Sequence, residues 1–139
     1  MPSRLYTPEL ANRALPYVRR IVEDLVAEHR KWSDVVRELE LLAARERADA
    51  PDPRAAELRR LAQASAADID GFLGELASLG VECKGYDVGL VDFPAVIDGR
   101  EVFLCWRLGE PAVAHWHDRD AGFASRRPLP SAELAGGRA

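Results

Sequence analysis

From Val18 onward, side chains suited to a packed seam return at alternating steps of four and three: Val18, Val22, Leu25, His29, Trp32, Val36, Leu39 and Ala43. That spacing marks one face of a coiled-coil-like helix. Ile21, Glu28, Val35 and Leu42 form a flanking row on the same side. Upstream, Thr7 can cap a helix, Pro8 fits a first helical position, and Glu9 suits the positive end of the dipole. Pro16 predicts either a kink or a break between a short first helix and a long one. The long helix is expected to run to about Ala48, with Pro51 and Pro53 ending it.

A second helix is predicted from about Pro53 to Leu79. Leu58, Ala62, Ser65, Ile69, Phe72, Leu76 and Leu79 repeat the same spacing, and Gly80 closes it. The short Pro-rich connection makes the pair an antiparallel hairpin. Gly71 and Gly74 each cost about 1 kcal/mol relative to Ala in a helix. They predict a close backbone approach to another element.

After Gly80 the period falls to two. Val81–Lys84 reads as a short edge strand, Gly85–Gly89 as a turn, and Leu90–Ile97 as a strand with Pro94 at an edge or bulge. Asp98-Gly99 is a hairpin signal, followed by a strand from about Arg100 to Leu108. Gly109-Glu110-Pro111 turns the chain into a strand over Ala112–His117. The fold class is therefore α+β, a long antiparallel helical hairpin packed against a small antiparallel β-meander. One domain is expected over residues 1–130, its helical half about 7–80 and its strand half about 81–123, with a flexible tail over 131–139.

Composition narrows the classes of function. The 139 residues are 47% apolar and 30% charged, a globular balance. A net charge of −4 with scattered arginines argues against a nucleic-acid partner. The basic pair Arg126-Arg127 could hold one anion. No apolar run approaches the roughly 20 residues of a membrane span, and the N-terminus lacks a signal core, so the expectation is a cytoplasmic protein without membrane contact. Cys83 and Cys105 are expected to be free thiols there, although the sequence leaves a pairing open. No phosphate-cradling glycine loop, serine-nucleophile elbow or zinc-protease helix motif is present.

Rare, reactive side chains gather late in the chain. Two of the three Trp, two of the three His and one of the two Cys fall between Gly89 and Phe123. Strand alternation puts Glu101, Phe103, Cys105 and Arg107 on one face, and His115 with His117 on one face, about 6 to 7 Å apart at the backbone. His115 and His117 are candidate ligands for a divalent transition metal if Glu110 or Asp120 joins them. The alternative is a pair of exposed or hydrogen-bonded histidines. Cys105 is a nucleophile or a small buried hydrophobe. Trp106, Trp116 and Phe123 line a pocket or pack a core. On the first helix, Glu28 and His29 are either ligands between helices, with Asp68 and Glu75, or a packed polar pair.

Several segments together carry a family resemblance. Leu5-Tyr-Thr-Pro-Glu-Leu-Ala-Asn12, Leu15-Pro16, Gly80–Lys84, Gly89–Pro94, Gly99-Arg100, Leu104-Cys-Trp106, Gly109-Glu110, Trp116-His117 and Gly122-Phe123 resemble the prokaryotic DUF2203 family up to about Leu129. The resemblance implies a bacterial or archaeal cytoplasmic protein and no particular activity. It gives weight to Asp92, Arg100, Cys105, Trp106, Glu110, Trp116 and His117, and less to His115 and His29.

Two functions compete. In the first, the protein binds a small ligand or divalent metal. His117, Glu110 and His115 are then the metal ligands, and Asp92, Arg100, Trp106 and Trp116 contact the ligand. His117 and Glu110 would meet at a cleft edge with Trp106 or Trp116 as a wall. In the second, the helical hairpin self-associates as a homodimer or higher oligomer, and the late polar residues form a packed network.

Overall fold

The computed structural model describes residues 5–130. The expected tail over 131–139 lies outside the described residues. Helix α1 spans Pro8–Ala43 and helix α2 spans Pro53–Ser78. Each begins as its sequence dictates. The Thr7 hydroxyl accepts the Leu10 N–H at 3.1 Å, and the Asp52 carboxylate accepts the Arg54 N–H at 2.9 Å. In both helices a proline follows the cap.

The break that Pro16 allowed in α1 does not occur, and the expected end of the helix needs correction. The helix runs unbroken through Pro16, although an interior proline typically costs about 3 kcal/mol. Ala11, Leu15 and Val18 are all buried on either side, so core packing offsets the cost of keeping the helix continuous. The helix also stops at Ala43 rather than near Ala48. There the Glu46 carboxylate accepts the Asp52 N–H at 2.8 Å and pairs with Arg59 at 2.7 Å, which fixes a turn in place of another helical turn. The close approach expected at Gly71 and Gly74 is likewise absent, because a Cβ at either position would meet nothing within 4 Å.

Five antiparallel strands follow in spatial order β1-β2-β3-β4-β5. They are β1 Glu82–Gly85, β2 Leu90–Ile97, β3 Arg100–Arg107, β4 His115–Asp118 and β5 Arg127–Pro128. The last was not expected from sequence; two residues with no alternation give no period to read. Asp98 and Gly99 close the β2–β3 hairpin with φ of 52° and 76°, the left-handed geometry that a two-residue turn requires. Pro94 is tolerated because β1 pairs only with Leu90–Asp92, so the sheet has no β1 partner at Pro94. The Pro94 carbonyl instead accepts the Tyr6 N–H at 2.7 Å.

The two faces of the sheet differ in kind. Val91, Phe93, Ala95, Val102, Leu104 and Trp106 join Leu15, Val18, Val22 and Leu25 of α1 and Leu76 of α2 in one core. The opposite face carries Asp92, Phe103, Cys105 and His117, which are buried as well. Near that face lies the segment after β4, where Phe123–Ser125 form a single 3-10 turn. Beyond the sheet, residues 27–43 of α1 contain no fully buried side chain, and over roughly 25 Å the helix packs mainly on α2, with His29 also against Tyr86 of the β1–β2 turn. Among the described residues no helix is long and apolar enough to cross a membrane.

Candidate metal centre

The β2–β3 hairpin register places Asp92 directly opposite Cys105. On the next strand, Phe103 pairs with His117 and Cys105 with His115. Asp92 and His117 therefore stand on strands separated by β3, and their side chains meet above it. His117 Nε2 lies 3.0 Å from Asp92 Oδ1, with both side chains about 95% buried or more (3% and 5% exposed). One donor atom each from Asp92, Cys105 and His117 lie within 4.8 Å of one another. Among the described residues this is the one group of three or more metal-capable side chains so close together.

The imidazole is oriented from behind. His117 Nδ1 is 2.8 Å from the Asp118 carbonyl, which can only accept, so Nδ1 carries the proton. Unless a second proton sits on Nε2, that atom presents a lone pair to Asp92 and Cys105. The surroundings oppose negative charge on the other two donors. Burial raises the Asp92 carboxyl above its ordinary range, and the nearby His117 only partly offsets this. Burial and the Asp92 charge push the Cys105 thiol up to about 11, against the pull of the Arg126 guanidinium.

A cavity of about 110 Å³ opens over the three donors, lined also by Lys84, Leu90, Phe103 and the segment Ala121–Phe123. Phe123 is the one aromatic of the proposed pocket trio that lines it. Trp106 is fully buried on the helix-facing side, its indole N–H donating to the Glu110 carbonyl at 3.0 Å. Trp116 lies under two cations, with Arg100 at 5.7 Å and Arg127 at 5.4 Å from its ring centroid. Arg100 also pairs with Asp118 at 3.1 Å. Neither tryptophan walls the cavity over His117, in contrast to the arrangement expected from sequence.

Glu110 is engaged elsewhere. Its carboxylate receives both Arg126 guanidinium nitrogens and the Arg107 N–H, the last at 2.8 Å. His115 points from the same face but lies outside the close group, and its Nδ1 is buried with no hydrogen-bond partner among the described residues. His29 is packed between Trp32 and Tyr86, at 5.7 and 5.8 Å between centroids, and Glu28 pairs with Lys31. His29 thus packs against aromatic rings rather than a carboxylate partner, and among the described residues no close group of metal-capable side chains forms around it.

The sequence pointed to His117 as a metal ligand and to Asp92 as a ligand contact, but Cys105, read as a nucleophile or a small buried hydrophobe, was missed as the third member. A signal for it was available. A two-residue turn at Asp98-Gly99 pairs Ile97 with Arg100, and stepping back along both strands brings Asp92 opposite Cys105.

Asn12 was missed altogether as a positioning residue. Its side-chain amide accepts the Val113 N–H at 2.8 Å and donates to the Val113 carbonyl at 3.0 Å. This clip ties the approach to β4, and so His117, to α1.

Comparison with curated proteins and with solved structures gives no match. Residues 4–129 match the model of the family described as uncharacterized conserved protein (DUF2203), and the chain belongs to that family.

Proposed function

We propose that this protein binds one divalent transition-metal ion through Asp92, Cys105 and His117. The observation that carries the reading is the convergence of three different donor types, all buried, within 4.8 Å. With metal–N and metal–O bonds of about 2.0 to 2.1 Å, a tetrahedral ion separates those atoms by about 3.3 Å. The 3.0 Å between His117 Nε2 and Asp92 Oδ1 needs only a small adjustment to reach that value. A dication also balances a carboxylate and a thiolate that burial alone disfavours, so binding would release the Cys105 proton. The hydrogen bond from His117 Nδ1 to a backbone carbonyl is the usual support behind a metal-bound imidazole. The mixed sulfur, nitrogen and oxygen set suits zinc, cobalt or ferrous iron rather than calcium or magnesium. Two cysteines without a mutual bridge fit a reducing compartment such as the cytoplasm.

Elemental analysis of protein purified without a tag should find close to one transition metal per chain, reduced at least tenfold by Cys105→Ser or His117→Ala. Protein that stays metal-free after incubation with zinc or cobalt refutes the reading.

The helical arm supports a second reading, self-association into a homodimer. Trp32, Val35, Val36, Leu39 and Leu42 on the arm are only half-buried, and Leu41 and Leu61 are exposed. Two such hairpins, each with the same stripe, can complete a four-helix bundle. Sedimentation showing only monomer at micromolar concentration refutes it.

A further inference from the structure

We propose that the metal centre takes a small carboxylate, or a monoanion of similar size, as an exchangeable ligand whose charge is met by Lys84. This inference rests on the metal reading above. Three protein donors leave a tetrahedral ion one position for an outside ligand, the arrangement of catalytic rather than structural sites. Here that position faces the cavity over Asp92, Cys105 and His117. The segment across the cavity, Ala121-Gly122-Phe123, has no metal-binding side chain to fill it.

The cavity sets the ligand's size and chemistry. At about 30 Å³ per water, its volume of about 110 Å³ accommodates the equivalent of roughly four waters. A carboxylate with a short apolar tail fits this space. Leu90, Phe103 and Phe123 offer the tail an apolar wall, and Lys84 is the one cationic side chain in the lining. The Lys84 ammonium sits 5.2 Å from the Phe103 ring centroid, at the edge of the cavity. Its present partner is weak: Glu82 is 3.7 Å away, and both side chains are about half exposed. Two other cations lie nearby, but Arg126 is committed to Glu110, and Arg119, 5.1 Å from the Phe103 ring centroid, is committed to Glu101 at 2.6 Å. Lys84 can therefore turn toward an arriving anion at little cost.

Cobalt(II)-loaded protein tests the metal and the anion separately. A thiolate-to-cobalt absorption band reports the ion on Cys105, and the visible ligand-field bands report what occupies the remaining position. Acetate should shift the ligand-field bands saturably at millimolar concentration, while uncharged acetamide of the same size should not. Lys84→Met should weaken acetate binding about tenfold, the value of one charge-assisted contact. It should leave the cobalt stoichiometry unchanged, and Lys84→Arg should restore most of the affinity. Absence of the thiolate band overturns the metal reading and the anion with it. A thiolate band with ligand-field bands that ignore acetate, or answer equally to acetamide, overturns the anion alone. Acetate binding that is indifferent to Lys84→Met overturns the role of Lys84.

Discussion

His117 and Asp92 meet at 3.0 Å across an intervening strand, and only a proton or a cation can join them. Adjacent strands lie about 4.7 to 4.9 Å apart, so β2 and β4 are nearly 10 Å apart at the backbone. Both side chains reach inward over β3 to close that distance, with Cys105 between the two strands that carry them. The Asp118 carbonyl holds the imidazole ring with Nε2 toward the pair. The contact is thus a product of sheet register and one backbone hydrogen bond.

This pair should behave as a unit in the metal-free protein. Asp92→Ala or His117→Ala alone leaves a buried partner unmatched, which typically costs about 3 kcal/mol or more. The double variant removes both groups and should cost clearly less than the sum of the singles. Urea denaturation with chelator present gives the cycle. Additive single effects would show that the two side chains do not interact.

Asn12→Ala should destabilise the fold by about 2 to 3 kcal/mol, because it strands the N–H and carbonyl of fully buried Val113. Asn12→Asp should not rescue it. A carboxylate still accepts the Val113 N–H but repels the carbonyl that the amide nitrogen now satisfies. Thermal melts of the three proteins decide this, and an Asp variant as stable as the parent would refute the two-way clip.

The larger outline was legible because it rests on local rules. Seam spacing gave the hairpin from Val18 and Leu58, and the Asp98-Gly99 turn gave β2 and β3. What escaped depends on register across longer connections. The residues between Arg107 and His115 set how β4 slides along β3, and nothing local fixes that slide to place His117 opposite Phe103. Glu110 looked available to His117 for the same reason, since its claim by Arg126 comes from a residue in a segment without periodicity. Trp106 stood out as chemistry and proved to be core, because alternation along β3 sends it to the helices while Cys105 faces the other way.

Gly89 and Gly99 share a φ of +76° but not a setting. A Cβ at Gly89 would stand 2.8 Å from the Leu108 Cβ and 2.9 Å from the Val22 Cγ1, whereas at Gly99 it would meet nothing within 4 Å. Gly89→Ala should therefore add overpacking to backbone strain and cost about 2 to 4 kcal/mol. Gly99→Ala should cost only about 1 kcal/mol, from the backbone alone. Equal losses in denaturant midpoint would mean that the turn before β2 does not press on α1.

The Glu110–Arg126 pair should leave a signature in acid. Burial raises the Glu110 carboxyl, but the Arg126 guanidinium and the Arg107 N–H pull harder, so it ends below the ordinary carboxylate range. A carboxyl with a depressed folded-state pKa contributes stability that is fully present above its unfolded value of about 4.3. That contribution is lost as pH falls through the folded value. Asp92, held above its ordinary range by burial, works in the opposite sense, so the test compares two proteins rather than one profile. Glu110→Gln should lower the melting temperature most near neutral pH. The gap to the parent should narrow as pH drops below about 4. A gap that stays constant through the acid range would show that the charge on Glu110 does not stabilise the loop before β4.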